Sequence, residues 1–265
     1  MARLIALAAV LVIPAAACAQ DWAKERLEKS PRHIEYVKVE HDSRPVNCLV
    51  AYPEVKDKAP AVVVIHEIFG LADWPKLMAD ELAEAGYIAI VPDLLSGMGP
   101  AGGGTESLKG RDAVTRAVRD LPQKQVMADL DAVVEYVAKL PACNGKVAVC
   151  GFCWGGGQAF SYATHSKGIK AAFVFYGGGP TDEAALRRIE SPVYGFYGGN
   201  DARVNATIPR SEELMKAAGK VYEPVIYEGA GHGFMRGGEA PDARPGDSKG
   251  RDEAWRRWKE LLKKL

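Results

Sequence analysis

The chain lacks an excess of charge of either sign, because its 265 residues include 34 Lys and Arg and 34 Asp and Glu. Arg3 is the only charged residue among positions 1–19, so the remainder carries 33 basic residues against 34 acidic ones. Proteins that bind nucleic acid or anionic membrane surfaces usually display a clustered positive excess. The composition therefore gives no reason to expect either partner.

The sequence also lacks an apolar run long enough to span a bilayer. Near its start, Arg3 precedes an apolar stretch over 4–13, and Pro14 and small residues follow. This pattern predicts a signal peptide over 1–19, with Ala17-Cys18-Ala19 as the cleavage site and residues 20–265 as a single exported domain, periplasmic or secreted. A lipoprotein anchored at Cys18 is the alternative, although Ala15 stands where a lipoprotein signal usually carries a leucine-like residue.

Two cofactor signatures are missing. The glycine-rich segment 94–110 has no Gly-Lys-Ser/Thr, so it indicates a mobile lid or a plain surface loop rather than a phosphate loop. His66 and Glu67 do not begin a zinc motif, because Gly70 occupies the place of the second histidine. The sequence therefore predicts no metal and no cofactor, and it gives His66 a loop-shaping role.

Strand-like and helix-like patterns alternate through most of the chain. Alternating apolar and polar residues predict an antiparallel hairpin over 33–40 and 45–52. Further strands are predicted at 60–65, 87–91, 146–150, 170–176, 192–197 and 221–227, and helices at 74–82, 126–140, 158–163, 207–218 and 248–265. The alternation predicts a doubly wound, mostly parallel sheet with an antiparallel N-terminal edge hairpin.

The segment 151–155, Gly-Phe-Cys-Trp-Gly, lies between a predicted strand and a predicted helix. A strand, a tight Gly-x-nucleophile-x-Gly turn and a helix form the nucleophile elbow of α/β-hydrolases. Glycines are needed there because strand and helix approach closely on both sides of a strained residue. Cys153 is the candidate nucleophile, and we expect the adjacent helix N-terminus to lower the pKa of its thiol.

Two further reactive residues follow predicted strands. Asp201 comes after the strand at 192–197, and His232 lies in a glycine-flanked loop after the strand at 221–227. Ligands bind at the carboxyl edge of such sheets, where these segments should meet. The chain order nucleophile, acid, histidine is that of α/β-hydrolases, with His232 as base and Asp201 as its orienting partner.

These residues belong to motifs through which the chain resembles the dienelactone hydrolase (carboxymethylenebutenolidase) family. The resemblance extends from about Val62 to the last helix, and it rests on segments 66–71 (HEIFGL), 86–94 (GYIAIVPDL), 151–156 (GFCWGG), 198–201 (GGND) and 231–236 (GHGFMR). Cysteine in place of serine at the elbow separates this family from most esterases. The resemblance implies an α/β-hydrolase fold and hydrolysis of a small ester or lactone through an acyl-enzyme.

The resemblance also implies roles for residues around the triad of Cys153, His232 and Asp201. Glu67 would contact the resting thiol and help to generate the thiolate, and Arg236 would bind a substrate carboxylate. The oxyanion hole would be formed by the backbone N–H groups of Trp154 and Ile68. A second substrate-binding arginine remains open among three candidates: Arg111, Arg116 and Arg119. We expect a monomer.

Other functions remain possible from the sequence. Cys150 and Cys153 form a C-x-x-C of the kind that thiol–disulfide oxidoreductases use, although Cys150 should point into the core. A non-catalytic binding protein could also use this fold. Four cysteines in an exported protein allow three disulfide pairings. A catalytic Cys153 must stay free, so Cys48–Cys143 is the bridge to expect if one forms.

Overall fold

The computed structural model describes residues 21–265, so the predicted signal peptide and Cys18 lie outside the described residues. Within that range the strands form one eight-stranded sheet in the order β1-β2-β4-β3-β5-β6-β7-β8. The strands are β1 (Ile34–His41), β2 (Arg44–Ala51), β3 (Ala59–Ile65), β4 (Ile88–Pro92), β5 (Cys143–Phe152), β6 (Ala172–Phe175), β7 (Val193–Gly198) and β8 (Tyr222–Tyr227).

The sheet confirms the predicted topology. Strands β1 and β2 pair antiparallel around the two-residue turn Asp42-Ser43, and β2 pairs antiparallel with β4. Both turn residues have positive φ, 46° and 63°, as a tight hairpin turn requires. All pairings from β4 through β3 and on to β8 are parallel. The fold is that of an α/β-hydrolase.

Helices cover both faces of the sheet. They are α1 (Asp21–Glu28), α2 (Asp73–Glu84), α3 (Arg111–Arg119), α4 (Gln123–Ala138), α5 (Trp154–His165), α6 (Glu183–Leu186), α7 (Ala202–Asn205), α8 (Ile208–Ala217), α9 (Phe234–Gly237) and α10 (Pro245–Leu262). Across residues 21–265, none of them combines the length and apolar character that crossing a membrane demands.

Strand β5 supplies core residues to both faces because successive side chains alternate. Val147 and Val149 pack into the apolar layer that includes α4, whereas Cys150 and Phe152 pack into the layer that includes α2 and α10. All four residues are buried. Cys150 therefore points into the core, as its position in the predicted strand indicated.

No disulfide joins Cys48 and Cys143. All four cysteines of the described chain are free thiols. Cys48 pairs with Pro92 at the carboxyl end of β4, whereas Cys143 pairs with Ala59 at the amino end of β3. Because β3 and β4 run parallel, the two cysteines lie near opposite ends of the sheet, beyond the reach of a disulfide.

The glycine-rich segment 94–110 is an anchored surface loop. Its buried Thr105 donates its backbone N–H and its hydroxyl to the two carboxylate oxygens of Asp93, each over 2.7 Å. Gly104 is required at the anchor, since a Cβ there would lie 2.1 Å from the Asp93 carboxylate. These bonds fix the loop to the end of β4.

Two buried carboxyl groups, those of Glu81 and Glu239, link helices α1 and α10 to α2. Glu81 of α2 accepts hydrogen bonds from Arg26 and Arg251, and Glu239 accepts one from the Trp74 indole over 2.9 Å. Burial, and after it the hydrogen bond and negative charge of Glu239, raise the pKa of Glu81 to about 8, against the opposing effect of the two arginines. The pair therefore holds one proton near neutral pH.

This proton makes stability depend on pH. Glu81 ionises at about 4.3 in an unfolded chain but only near 8 in the folded one, so stability should fall as pH rises between these values. Glu81→Gln keeps a neutral hydrogen-bonding group at that position, and we expect it to flatten the fall in Tm between pH 5 and 8. Glu84→Gln, on the exposed side of the same helix, is the matched control. An unchanged pH profile in Glu81→Gln would contradict the assignment.

Candidate active site

The turn between β5 and α5 holds Cys153 in a strained backbone conformation, with φ 56° and ψ −115°. A positive φ is uncommon for a residue with a side chain and marks functional turns. The flanking glycines allow the backbone to approach its neighbours closely. A Cβ on Gly155, for example, would lie 2.4 Å from the carbonyl oxygens of Ile65 and His66. The sequence Gly-x-Cys-x-Gly therefore forms the predicted elbow, with Cys153 at the carboxyl end of β5.

The structure brings Cys153, His232 and Asp201 together in one hydrogen-bonded series. His232 Nδ1 donates to Asp201 Oδ2 over 2.5 Å, and His232 Nε2 lies 3.1 Å from Cys153 Sγ. Asp201 is buried, and its second oxygen caps the short helix α7 by accepting from the Val204 N–H. A carboxylate on Nδ1 leaves the Nε2 lone pair free to accept the thiol proton.

The loop that carries His232 is held from both sides. The N–H of Gly231, immediately before the histidine, donates to the buried Asp247 of α10 over 2.7 Å. On the other side, the ring of buried Tyr176 packs edge-on against the imidazole, with 5.2 Å between ring centroids. Asp247 is in turn bonded by Arg244 over 2.7 Å. These contacts fix the imidazole between its acid and the thiol.

In the resting site Glu67 is held by Arg236. The buried Glu67 carboxylate accepts from Arg236 Nε over 2.8 Å, while the thiol lies against His232. A guanidinium holds a carboxylate more strongly than a neutral thiol does, because the bond is charge-assisted. The terminal nitrogens of Arg236 make no hydrogen bond within residues 21–265, so they remain available to a substrate.

The expected lowering of the thiol pKa is also reversed in the resting site. Burial and then the negative charge of Glu67 raise the pKa of Cys153 above its ordinary value. Hydrogen bonds from the N–H groups of Trp154 and Ile68, together with the charge of Arg203, oppose this change without cancelling it. Burial and the charge of Glu67 therefore favour the neutral thiol of Cys153 in the resting site. The two N–H groups aimed at its sulfur are those predicted for the oxyanion hole.

Removing the charge of Glu67 should make the resting thiol more reactive. In Glu67→Gln the pKa of Cys153 should fall, because one cause of its rise is lost and Arg236 is left unpaired. We expect severalfold faster alkylation by iodoacetamide at pH 7 to 8, since the thiolate is the reacting form. Glu106→Gln is the control, because Glu106 also pairs with a cation, Lys76, but away from the site. Equal alkylation rates in Glu67→Gln and wild type would refute the electrostatic role.

A cavity of about 710 Å³ opens beside the sulfur. It is bounded by the turn that holds Cys153, by the segment after β6 and by α3 and α7. Its lining includes Ile68, Arg119, Cys153, Trp154, Gln158, Ser161, Tyr176, Arg203 and His232. Sequence reasoning gave Arg119 only as one of three open candidates and missed Arg203. The one sequence signal for Arg203 was its position two residues after Asp201.

The other predicted arginines lie around Phe69. The guanidinium of Arg111 stacks 4.1 Å from the Phe69 ring centroid, and that of Arg236 lies 5.6 Å from it. Arg111 and Arg236 are not part of the cavity lining. Arg116 neither lines the cavity nor stacks on Phe69. The three candidates for the second arginine therefore lie in different places. Arg111 lies with Arg236 around Phe69, whereas Arg119 lines the cavity beside Cys153.

The surroundings of Cys150 and His66 indicate the roles of these two residues. Cys150 is fully buried, and burial raises the pKa of its thiol well above the ordinary value, so it is poorly suited to redox exchange with Cys153. His66 donates from Nδ1 to the Glu67 carbonyl over 2.7 Å and stacks on Trp154 at 5.6 Å, which is a loop-shaping role. No cluster of candidate metal ligands occurs among residues 21–265.

Comparisons with known proteins agree with this geometry. The model of the dienelactone hydrolase family matches residues 46–265. A carboxymethylenebutenolidase-like protein of Methylorubrum extorquens is 35% identical over 195 residues, 69% of this chain and 66% of that protein. The carboxymethylenebutenolidase of Pseudomonas putida is 30% identical over 206 residues, 74% of this chain and 83% of that protein.

The solved structures include a dienelactone hydrolase-like protein of Klebsiella pneumoniae with a TM-score of 0.76 and 25% identity. The alignment covers 88% of this chain and 99% of that one. Family match, relatives and structure agree with the motifs from which the resemblance was predicted. The chain therefore belongs to the dienelactone hydrolase family and is a hydrolase of ester or lactone bonds.

Proposed function

We propose that the protein hydrolyses a small ester or lactone through a Cys153–His232–Asp201 triad and an acyl-enzyme. The observation that carries the proposal is the continuous series from the Cys153 sulfur through the imidazole to the buried Asp201 carboxylate, with distances of 3.1 and 2.5 Å. Such a series supplies a nucleophile, a general base and an orienting acid. The adjacent cavity gives the substrate access to the sulfur.

The reaction proceeds in two halves. Cys153 attacks the carbonyl carbon as its proton passes to His232 Nε2, and the carbonyl oxygen becomes an oxyanion. Collapse of this intermediate breaks the bond to the alkoxy oxygen, which takes the proton from His232 and leaves as an alcohol, or as the tethered hydroxyl of an opened lactone. Water, deprotonated by His232, then attacks the thioester carbonyl. The C–S bond breaks, the acid is released, and the sulfur takes the proton back from His232.

The surrounding groups would stabilise and activate these steps. The N–H groups of Trp154 and Ile68, which already act on the sulfur, would donate to the oxyanion, each contributing roughly 3 kcal/mol of transition-state stabilisation. The free terminal nitrogens of Arg236 would bind a substrate carboxylate. Binding there would weaken the hold of Arg236 on Glu67, whose carboxylate could then help to take the thiol proton.

The acyl-enzyme offers a direct test. Rapid acid quenching after mixing with p-nitrophenyl acetate should give one acetyl group per chain, located on Cys153 by peptide mass spectrometry. Cys150→Ala should acylate and turn over like the wild type, whereas a C-x-x-C redox enzyme would lose its activity in that variant. A thiol that is inert to substrate and to alkylation would favour the binding protein. Acetyl transfer to another residue, or turnover that survives Cys153→Ala, would overturn the proposed nucleophile.

A further inference from the structure

The peptide unit between Glu67 and Ile68 carries one of the two N–H groups proposed for the oxyanion hole. This N–H, that of Ile68, is hydrogen-bonded to the Cys153 sulfur in the resting site. A trans peptide is planar, and its C=O and N–H point to opposite sides of the C–N bond. The groups that hold the Glu67 carbonyl oxygen therefore also fix the direction in which the Ile68 N–H points.

Two donors hold this carbonyl oxygen. The Gly70 N–H donates to it across a tight turn over 3.2 Å, and His66 Nδ1 donates to it over the shorter distance of 2.7 Å. The imidazole is fully buried. On the other side of the peptide, the Ile68 side chain packs against the buried cluster that includes Val114 of α3. The peptide is thus held at both ends, and His66 supplies the shorter of the two hydrogen bonds to its oxygen.

The surroundings of His66 make its ring a neutral donor from Nδ1. Burial lowers the pKa of His66, although the negative charge of Asp93 and backbone hydrogen bonds oppose this change. A neutral imidazole carries its proton on one nitrogen only, and a carbonyl oxygen can only accept, so the proton is on Nδ1. Nε2 is buried and has no hydrogen-bond partner among residues 21–265, as a bare lone pair would be. The Nδ1–H is therefore the one polar contact of the ring.

His66 also contacts the element that carries the second N–H. Its ring stacks on Trp154, whose N–H is the other donor to the sulfur, with 5.6 Å between ring centroids and an interplanar angle of 16°. Its carbonyl oxygen lies where α5 comes closest, since a Cβ on Gly155 would be 2.4 Å from it. One residue therefore contacts both segments whose N–H groups converge on Cys153.

We infer that His66 is a positioning residue of the oxyanion hole, because its Nδ1–H holds the Glu67 carbonyl and so aims the Ile68 N–H at the reacting atoms. The inference rests on the proposed function and adds a residue to it. His66 is not part of the cavity lining, so it acts through the peptide and not on the substrate. Its contribution should appear in kcat more than in KM, since the oxyanion exists only after the nucleophile attacks.

Two variants of the same shape isolate the hydrogen bond. His66→Asn and His66→Leu both remove the ring, but the asparagine Nδ2 can take the place of the imidazole Nδ1 and donate to the Glu67 carbonyl, whereas leucine cannot. With p-nitrophenyl acetate, His66→Leu should lower kcat about 10²-fold and change KM little, as expected when an oxyanion donor is lost. His66→Asn should keep a kcat close to that of the wild type.

Thermal melts distinguish positioning from a general structural role. Asparagine brings an amide oxygen without a partner into a fully buried site, so His66→Asn should have a lower Tm than His66→Leu. The expected order of kcat is therefore the reverse of the order of Tm. His165→Leu is the control and should keep wild-type kcat, because His165 bonds Asp131 over 2.7 Å and does not line the cavity. Equal kcat in the two His66 variants, or kcat that follows Tm, would overturn the inference.

Alkylation separates this inference from the proposed reaction, because it needs no ester turnover. The Ile68 N–H lowers the pKa of Cys153, so its loss in His66→Leu should move the midpoint of iodoacetamide alkylation to higher pH than in His66→Asn. Such a shift without Cys153-dependent turnover would support the positioning role and reject the hydrolytic proposal. Identical midpoints in the two variants would overturn the positioning role, even where turnover depends on Cys153.

Discussion

Asp201→Asn should lower kcat by about 10⁴-fold and leave the protein folded. The Asp201 carboxylate accepts the Nδ1 proton of His232 over 2.5 Å, and it would stabilise the imidazolium that forms when the thiol proton is taken. An amide in its place can donate to Nδ1 and so favour the tautomer with its proton on Nε2, which cannot accept from the thiol. Stability should change little, because asparagine is also a good helix cap for α7.

A second helix-capping aspartate provides the matched control. Asp182 caps α6 by accepting from the Ala184 N–H over 2.9 Å, as Asp201 caps α7. Within residues 21–265, its carboxylate forms no hydrogen bond or ion pair with a histidine. Asp182→Asn should therefore keep wild-type kcat. Steady-state kinetics with p-nitrophenyl acetate and thermal melts of both variants separate the two roles of Asp201. A fall in kcat of less than tenfold would show that His232 does not need this acid.

Gly155→Ala should strongly destabilise the native fold. A Cβ at this position would lie 2.4 Å from the carbonyl oxygens of Ile65 and His66, which belong to the backbone and cannot turn aside. Relief would require β3 and α5 to separate at the centre of the sheet, where the elbow sits. Overpacking in a core typically costs about 1–3 kcal/mol and sometimes more, and a backbone clash lies at the upper end of that range. We expect insoluble protein or a strongly lowered Tm.

Gly157→Ala, two residues further along α5, tests whether space is the cause. Its added Cβ would meet only the carbonyl oxygen of Gly178 at 3.5 Å, which is an ordinary contact. Because alanine is favoured over glycine within helices, this variant should be as stable as the wild type or slightly more so. Denaturation curves for the two variants give the comparison. Similar losses of stability in both variants would show that helix α5 does not tolerate alanine at either position, and that the clash at Gly155 is not the cause.

The parallel strands and the elbow were predictable from the sequence because their signals are local. Runs such as 60–65 are apolar throughout, as strands buried on both faces must be, and glycine spacing marks the turn at Cys153. Helices α1 and α3 were missed. Between Arg111 and Arg119 only Val114 and Val118 are buried, so the periodic signal is short and is surrounded by charge.

The sequence predicted which residues form the site, but it did not predict the contacts that they make in the resting protein. Chain order located Cys153, Asp201 and His232 at strand ends, but it gave no information on the partner of Glu67. That partner depends on which of several charges lies nearest in space. The pKa of Cys153 was misjudged for a related reason, since the helix N-terminus is visible in the sequence and burial is not. Arg203 needed the tertiary structure, because an exposed arginine in a short helix carries no sequence pattern.

The bond from the Gly231 N–H to Asp247 has a consequence for heat inactivation. Helix α10 begins at Pro245, so the group that holds the histidine loop belongs to the first turn of that helix. Helix ends open locally at a lower free energy than the central strands do. Fraying of this one turn would displace His232 while the sheet stays intact. Activity should therefore decline on heating before the far-ultraviolet circular dichroism changes, and it should return on cooling.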